Sequence, residues 1–213
     1  KDRLPTAAAA ILNPKRPDCD YPFDALAGVG VAFKLILALA IKNGLKTTDV
    51  FNQYVDIATL GTIADVVPLL GENRVIVDKG LKILHNPKRI GIRAIMEVAG
   101  VLDKPLNTST IAFSIAPRLN AAGRLGSAAT AVELLLTNDE SRARELALLL
   151  DTENKERQQT ERQIFDEALE LIAKDSNFEK KKVIVLAQEN WHQGVIGIVA
   201  SRLCDMYYKP CIL

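Results

Sequence analysis

Apolar residues along the chain fall into blocks whose spacing is mostly that of a helix, parted by short polar breaks. Leu26–Lys42, LAGVGVAFKLILALAIK, places Leu35, Leu39 and Lys42 at helical intervals and ends at Asn43-Gly44, a C-cap signal. Thr47 or Thr48 can cap a helix through Asp49, Val50, Phe51 and Tyr54. Asn73–Leu84 puts Val77, Leu81 and Leu84 on one face and stops at His85-Asn86-Pro87. Ile90–Val98 reads as a short amphipathic helix closed by Gly100, and Asn107–Ile115 as an apolar helix entered through capping residues. Ser127–Leu136 predicts a further helix. Ala9–Leu12 predicts a short strand before the extended, proline-rich PKRPDCDYPF.

Two regions differ from these blocks. Glu140–Lys174 predicts one long helix whose apolar residues face inward up to Leu150. Asp151–Gln163, DTENKERQQTERQ, then contains no apolar residue, and Ile164, Phe165, Leu169 and Ile172 follow. A helix that is polar all round commonly bridges domains through solvent. A coiled coil is excluded because its heptad seam would be empty here. Lys182–Ala187, KVIVLA, predicts a buried strand, Asn190–Gln193 a loop, Gly194–Tyr207 a helix, and the residues after Pro210 a second strand. That βαβ unit begins a small α/β domain. The expected organisation is α/β and mostly helical: a domain over 1–137, a connector helix over 138–175, and the start of a second domain over 176–213.

Composition narrows the class. The 213 residues are 48% hydrophobic and 25% charged, as in a globular protein, with no run long enough to span a membrane. Cys19, Cys204 and Cys211 have no CxxC spacing, which argues against a disulfide framework or a zinc site and fits a reducing cytoplasm. A net charge of +1 leaves any nucleic-acid site to a local basic patch. A first residue Lys1 and a last stretch that reads as part of a strand are those expected of a piece of a longer protein.

The chemistry-bearing positions are few. Asp65 follows TLGTIA and precedes VVPLL, where an ionised carboxylate is costly unless paired, bound to metal or placed at an element's end as a cap. Arg118, Asn120 and Arg124 are set among alanine and glycine; Arg118 keeps its charge and needs an anion, which can be a phosphate or a buried aspartate. Lys15 and Arg16 are either phosphate contacts or a solvated pair, and His85 reads as a surface or capping residue. Gly28 and Gly30 lack the third glycine of GxGxxG and suit a helix start with bare N–H groups. Trp191 is a stacking surface or a half-buried loop residue, and Ser201 a phosphate contact or a packing serine.

Four stretches in this order, LAGVGVAFKL, LGTIADVVPLLGENR, APRLNAAGRLG and HQGVIGIVASRL, with NPKRPDC before them, resemble the RecJ family of single-strand-specific exonucleases in the DHH phosphoesterase superfamily. The resemblance spans almost the whole chain. It implies the C-terminal part of a DHH domain, a connector helix and the start of a DHHA1 domain. It also implies a two-metal site for Mn2+ or Mg2+, with Asp65 as the one catalytic metal ligand here, and hydrolysis of single-stranded DNA from the 5′ end in repair and recombination. Arg118, Asn120 and Arg124 would hold phosphate, and His192, Ser201 and Arg202 would grip the strand from the DHHA1 side of a cleft. The implied protein is a cytoplasmic monomer without membrane attachment, with single-strand-binding protein and a helicase as candidate partners.

The DxD and DHH motifs that carry the other metal ligands in that family are absent from this chain. The resemblance therefore implies an inactive fragment of an active parent. A DHH enzyme for short oligonucleotides or cyclic dinucleotides, and a non-catalytic DNA-binding homologue, are the competing functions.

Overall fold

The computed structural model describes Pro5 and residues 7–213, and these divide into two compact units. One comprises the residues up to Arg89 with Ala99–Ala116, the other Ile90–Val98 with Pro117–Leu213.

The first unit is built on three helices, α1 (Gly28–Lys42), α2 (Thr47–Ala64) and α3 (Gly71–Leu84). Burial of the apolar stripes of these helices drives their association. Leu26, Phe33, Val55, Ala58 and Ile76 form the centre, with Phe33 and Phe51 rings 5.2 Å apart. Each of the larger of these side chains removed from water contributes about 1.5–3 kcal/mol. Gly80 lets α3 lie on α2: a Cβ there would stand 1.8 Å from Thr59 Oγ1. Asp56 is buried on α2, where Arg89 Nε donates to its Oδ2 at 3.0 Å. Gly44 at φ +66° ends α1 as its Asn-Gly signal predicts. Lys46, not a threonine, is the N-cap of α2, and Thr47 is already helical. Residues 9–12 form no strand; the strands among the described residues, Ile184–Val185 and Cys211–Ile212, pair with each other. A short helical turn, α5 (Thr108–Thr110), capped by Asn107 Oδ1 accepting from Thr110 N, runs into a π-helical turn over Ile111–Ile115. Where a continuous α-helix was expected, this wider turn adds a residue per turn.

The second unit contains α4 (Ile90–Val98), α6 (Ala116–Leu125), α7 (Ala129–Leu136), α8 (Glu140–Lys174) and α9 (Gln193–Tyr207). The expected bounds of α4 and α8 are met. Asp139 caps α8 by accepting from Arg142 N at 3.0 Å. Gly91 brings α4 against Leu134 of α7, leaving 1.7 Å between a Cβ there and the Leu134 carbonyl. Beyond the polar stretch, Ile164, Phe165, Ala168 and Ile172 of α8 form one core with Ile184, Val195, Val199 and Leu203. The strands β1 (Ile184–Val185) and β2 (Cys211–Ile212) pair in parallel around α9, as the βαβ reading requires, although β1 is shorter than Lys182–Ala187. No helix among the described residues is long and apolar enough to cross a membrane.

One expectation fails. The middle of α8 is not polar and solvated all round, because Asp151, Asn154 and Arg157 are buried. Arg118 of α6 reaches Asp151, a contact that composition along one helix cannot reveal, while Arg157 is held by Asn154 and Glu161 of α8 itself.

Candidate nucleic-acid interface

Asp65 lies in the first unit, and the other six expected site residues in the second. Asp65 is the C-cap of α2, its N–H bonded to Gly61 O at 3.0 Å. The carboxylate is not lodged among its apolar sequence neighbours. The helix stops at Ala64 and Val66 turns the chain outward at φ +55°. A β-branched residue in the left-handed region costs about 1–2 kcal/mol. A carboxylate at a helix C-terminus also meets the negative end of the helix dipole. The Asp65 side chain has no hydrogen bond or ion pair among the described residues. Neither feature serves stability, and such outliers concentrate at functional sites.

The loop after Asp65 is fixed by Asn73, a fully buried side chain whose Nδ2 donates to Ala25 O at 2.8 Å and to Pro68 O at 3.0 Å. Beside it a cleft of about 200 Å³ is lined by Ile63, Val66, Val67, Thr108, Ala112 and Phe113. Phe113 stands on the π turn and is 81% exposed. Among the described residues no three His, Cys, Asp or Glu side chains gather as a metal site. One carboxylate does not hold a divalent ion that takes six or more oxygen ligands. The residues present therefore do not build a two-metal centre.

In the second unit the predicted arginines converge on acids and backbone. Arg118 Nε donates to Asp151 Oδ1 at 2.8 Å, and Lys155 Nζ lies 2.7 Å from Asp151 Oδ2. Burial alone would raise the Asp151 carboxyl, but Lys155 and Arg118 together bring it below its ordinary value. The aspartate partner weighed for Arg118 is thus present. Arg124 Nη1 donates to Gly194 O at 3.0 Å, and a Cβ at Gly194 would stand 2.3 Å from Arg124 O. This close approach fastens the end of α6 to the first turn of α9. Asn120 is exposed on α6.

His192 is the N-cap of α9, its Nδ1 accepting from Gly194 N at 3.1 Å. Ser201 is exposed. Arg202 Nη1 donates to Glu161 Oε1 at 3.0 Å, and its guanidinium carbon lies 3.9 Å from the Phe165 ring centroid. Trp191 is the half-buried alternative: its Nε1 donates to Glu167 Oε2 at 2.7 Å, and with Gln163 it holds the Glu167 carboxyl below its usual range. Lys15 and Arg16 stay on the N-terminal loop, where Arg16 pairs with Asp18.

The acids of α8 escaped the sequence reading. Glu161 Oε2 accepts from Arg157 Nη1 at 2.7 Å, while Arg157 Nε and Nη2 donate to Asn154 Oδ1 at 3.3 and 3.0 Å. Their only local signals are the i,i+4 pairs Asp151–Lys155 and Arg157–Glu161. Glu153 Oε2 is buried without a hydrogen-bond partner among the described residues, and burial, with Glu156 nearby, pushes its carboxyl up.

No family model matches the chain. It is 43% identical to the single-stranded-DNA-specific exonuclease RecJ of Bacillus subtilis, over 96% of this chain and 25% of that protein. It is 44% identical to RecJ of Haemophilus influenzae, over 96% of this chain and 37% of that protein, and 40% identical to RecJ of Escherichia coli, over 99% and 38%. The fold is similar to RecJ of Thermus thermophilus in complex with Mg2+, with a TM-score of 0.80 at 38% identity over 90% of this chain and 29% of the other. It is also similar to an exonuclease RecJ bound to manganese, with a TM-score of 0.77 at 38% identity over 90% of this chain and 47% of the other. The resemblance carried by the four motifs is borne out. The chain spans 25% to 38% of the length of these curated relatives.

Proposed function

We propose that this chain is a segment of a metal-dependent exonuclease that degrades single-stranded DNA from its 5′ end in repair and recombination. The observation that carries this reading is similarity to RecJ exonucleases at 40–44% identity over most of the chain. Arg118, Asn120 and Arg124 on α6 and His192, Ser201 and Arg202 around α9 are the strand-holding set. In that assignment 1–137 belongs to the DHH domain, 138–175 connects, and 176–213 opens the DHHA1 domain. Mn2+ or Mg2+ is the proposed cofactor, as in the related structures. Asp65 is the ligand contributed here, and residues beyond this chain are the others. The protein works in the cytoplasm as a monomer, with single-strand-binding protein and a helicase as partners.

The basic side chains give the chemistry of strand retention. A guanidinium offers up to two parallel N–H donors to a phosphate and keeps its charge at any working pH. Gly194 at the head of α9 lets the Arg124 backbone approach closely, which holds Arg124 beside the start of that helix. The test is digestion by the full-length parent with Mn2+ of a 5′-ended single strand, a duplex and a dinucleotide. Release of nucleotides from the single strand alone supports the reading. Preference for the dinucleotide makes the protein an oligonucleotide phosphodiesterase, and binding without turnover makes it a DNA-binding homologue.

A further inference from the structure

We propose that Glu161 is a positioning residue that aims Arg202 at a phosphate of the bound strand; this rests on the assignment of Arg202 to strand binding. Glu161 is 15% exposed at its side chain and serves two guanidiniums, Arg202 through Oε1 at 3.0 Å and Arg157 through Oε2 at 2.7 Å. Arg157 is itself buried and braced by Asn154, so the carboxylate cannot swing without breaking a contact on each oxygen. On its other side Arg202 lies 3.9 Å from the Phe165 ring centroid, the geometry of a cation–π contact. A flat guanidinium held through one N–H group and one face has less rotamer freedom left to lose on binding.

The charge balance points to an anion. One carboxylate facing two arginines leaves one positive charge uncompensated. A pair that merely joined α8 to α9 would close one to one. Arg202 remains 45% exposed, and its Nε and Nη2 have no hydrogen bond among the described residues. Those donors have the spacing that a phosphate takes from an arginine. The Arg157–Glu161 order along α8 is also the less favourable one for an isolated helix, so local stability is a poor reason for it.

Removing an acid near a polyanion should tighten binding if only charge matters. A positioning role gives the opposite sign. The experiment uses the full-length protein and a fluorescent 5′-phosphorylated oligothymidylate, with affinity read by anisotropy over a salt series and folding by thermal melts. Arg202→Ala should weaken binding roughly tenfold and lower the salt slope by about one. Glu161→Ala should weaken it about three- to tenfold in the native background and add nothing in the Arg202→Ala background. Glu161→Gln, which keeps the shape and one acceptor, should weaken binding less but with the same sign. Wild-type or tighter binding by both Glu161 variants, or an equal loss with and without Arg202, overturns the proposal. If Arg202→Ala alone binds normally, the strand-binding assignment of Arg202 falls, and the proposal with it.

Discussion

Arg118 Nε and Asp151 Oδ1 lie 2.8 Å apart, joining the alanine- and glycine-rich helix α6 to the middle of α8. Both side chains are largely removed from water, at 17% and 10% exposure. Removing one partner of such a buried pair costs about 3–5 kcal/mol. Asp151→Ala should therefore destabilise the protein by about 3 kcal/mol, measured by urea unfolding. A loss under about 1 kcal/mol would mean that solvent already screens the pair.

Acid sensitivity should divide between two neighbouring acids. The Asp151 carboxyl is depressed in the folded protein, so its contribution is complete above the ordinary value of 3.8 and is lost as pH falls through the lower folded value. Glu153 has the reverse sign: its folded value lies above the ordinary 4.5, so stability declines as pH rises between the two. Glu153→Gln should raise the melting temperature at neutral pH, and Asp151→Asn should lower it. Melts recorded from about pH 3 to about pH 8 should show Glu153→Gln converging on the wild type at the acid end, and the deficit of Asp151→Asn shrinking only as pH falls below the ordinary aspartate value toward the folded one.

Asp65→Ala in the full-length protein should abolish hydrolysis of single-stranded DNA with Mn2+. Stability should stay level or rise by up to about 0.5 kcal/mol, since the substitution removes an anion from a helix C-terminus. Turnover near the wild-type rate would take Asp65 out of the site. A large fall in melting temperature would assign it to the fold instead.

Val66→Gly addresses the strained neighbour. Glycine takes φ +55° without steric cost, which favours the folded state, but it also loosens the unfolded chain. The net change in unfolding free energy should stay within about 1 kcal/mol. A drop above about 2 kcal/mol would show that the exposed valine side chain is needed for packing.

Gly194→Ala tests the junction of α6 and α9. Its Cβ would stand 2.3 Å from the Arg124 carbonyl oxygen, so one helix must move. Overpacking of this kind costs about 1–3 kcal/mol. Single-strand affinity should fall with it, because the same shift displaces Arg124 and the His192 cap. Unaltered affinity in an equally stable variant would exclude this junction from the interface.

Most helices of both units were legible because their apolar residues repeat at helical intervals and their ends carry punctuation, as Gly44 and Gly100 do, whereas α6, rich in alanine and glycine, was not. The βαβ unit was legible from its run of β-branched residues before a loop. Burial at polar positions was not. Asp151 owes its place to Arg118, 33 residues earlier, and Glu161 partly owes its place to Arg202, 41 residues later. Spacing within one helix reports only on that helix, so DTENKERQQTERQ reads as solvated until its partners are in view. Asp65 erred the other way, since apolar neighbours in sequence suggested burial, whereas the end of α2 and the turn at Val66 carry it outward. The π turn at Ile111–Ile115 has no composition that separates it from an α-helix.

The polar stretch of α8 resembles a spacer, yet it works as a ruler. Asp151 and Glu161 stand about ten residues apart, roughly 15 Å along the axis, and each grips a guanidinium from a different helix. Deleting a single residue between them would wind one grip about 100° away from its arginine. Lengths of this segment should thus be far less free to drift than its letters: exposed Glu156, Gln158 and Gln159 can be rewritten, whereas an inserted or missing residue would uncouple the two arginines from each other.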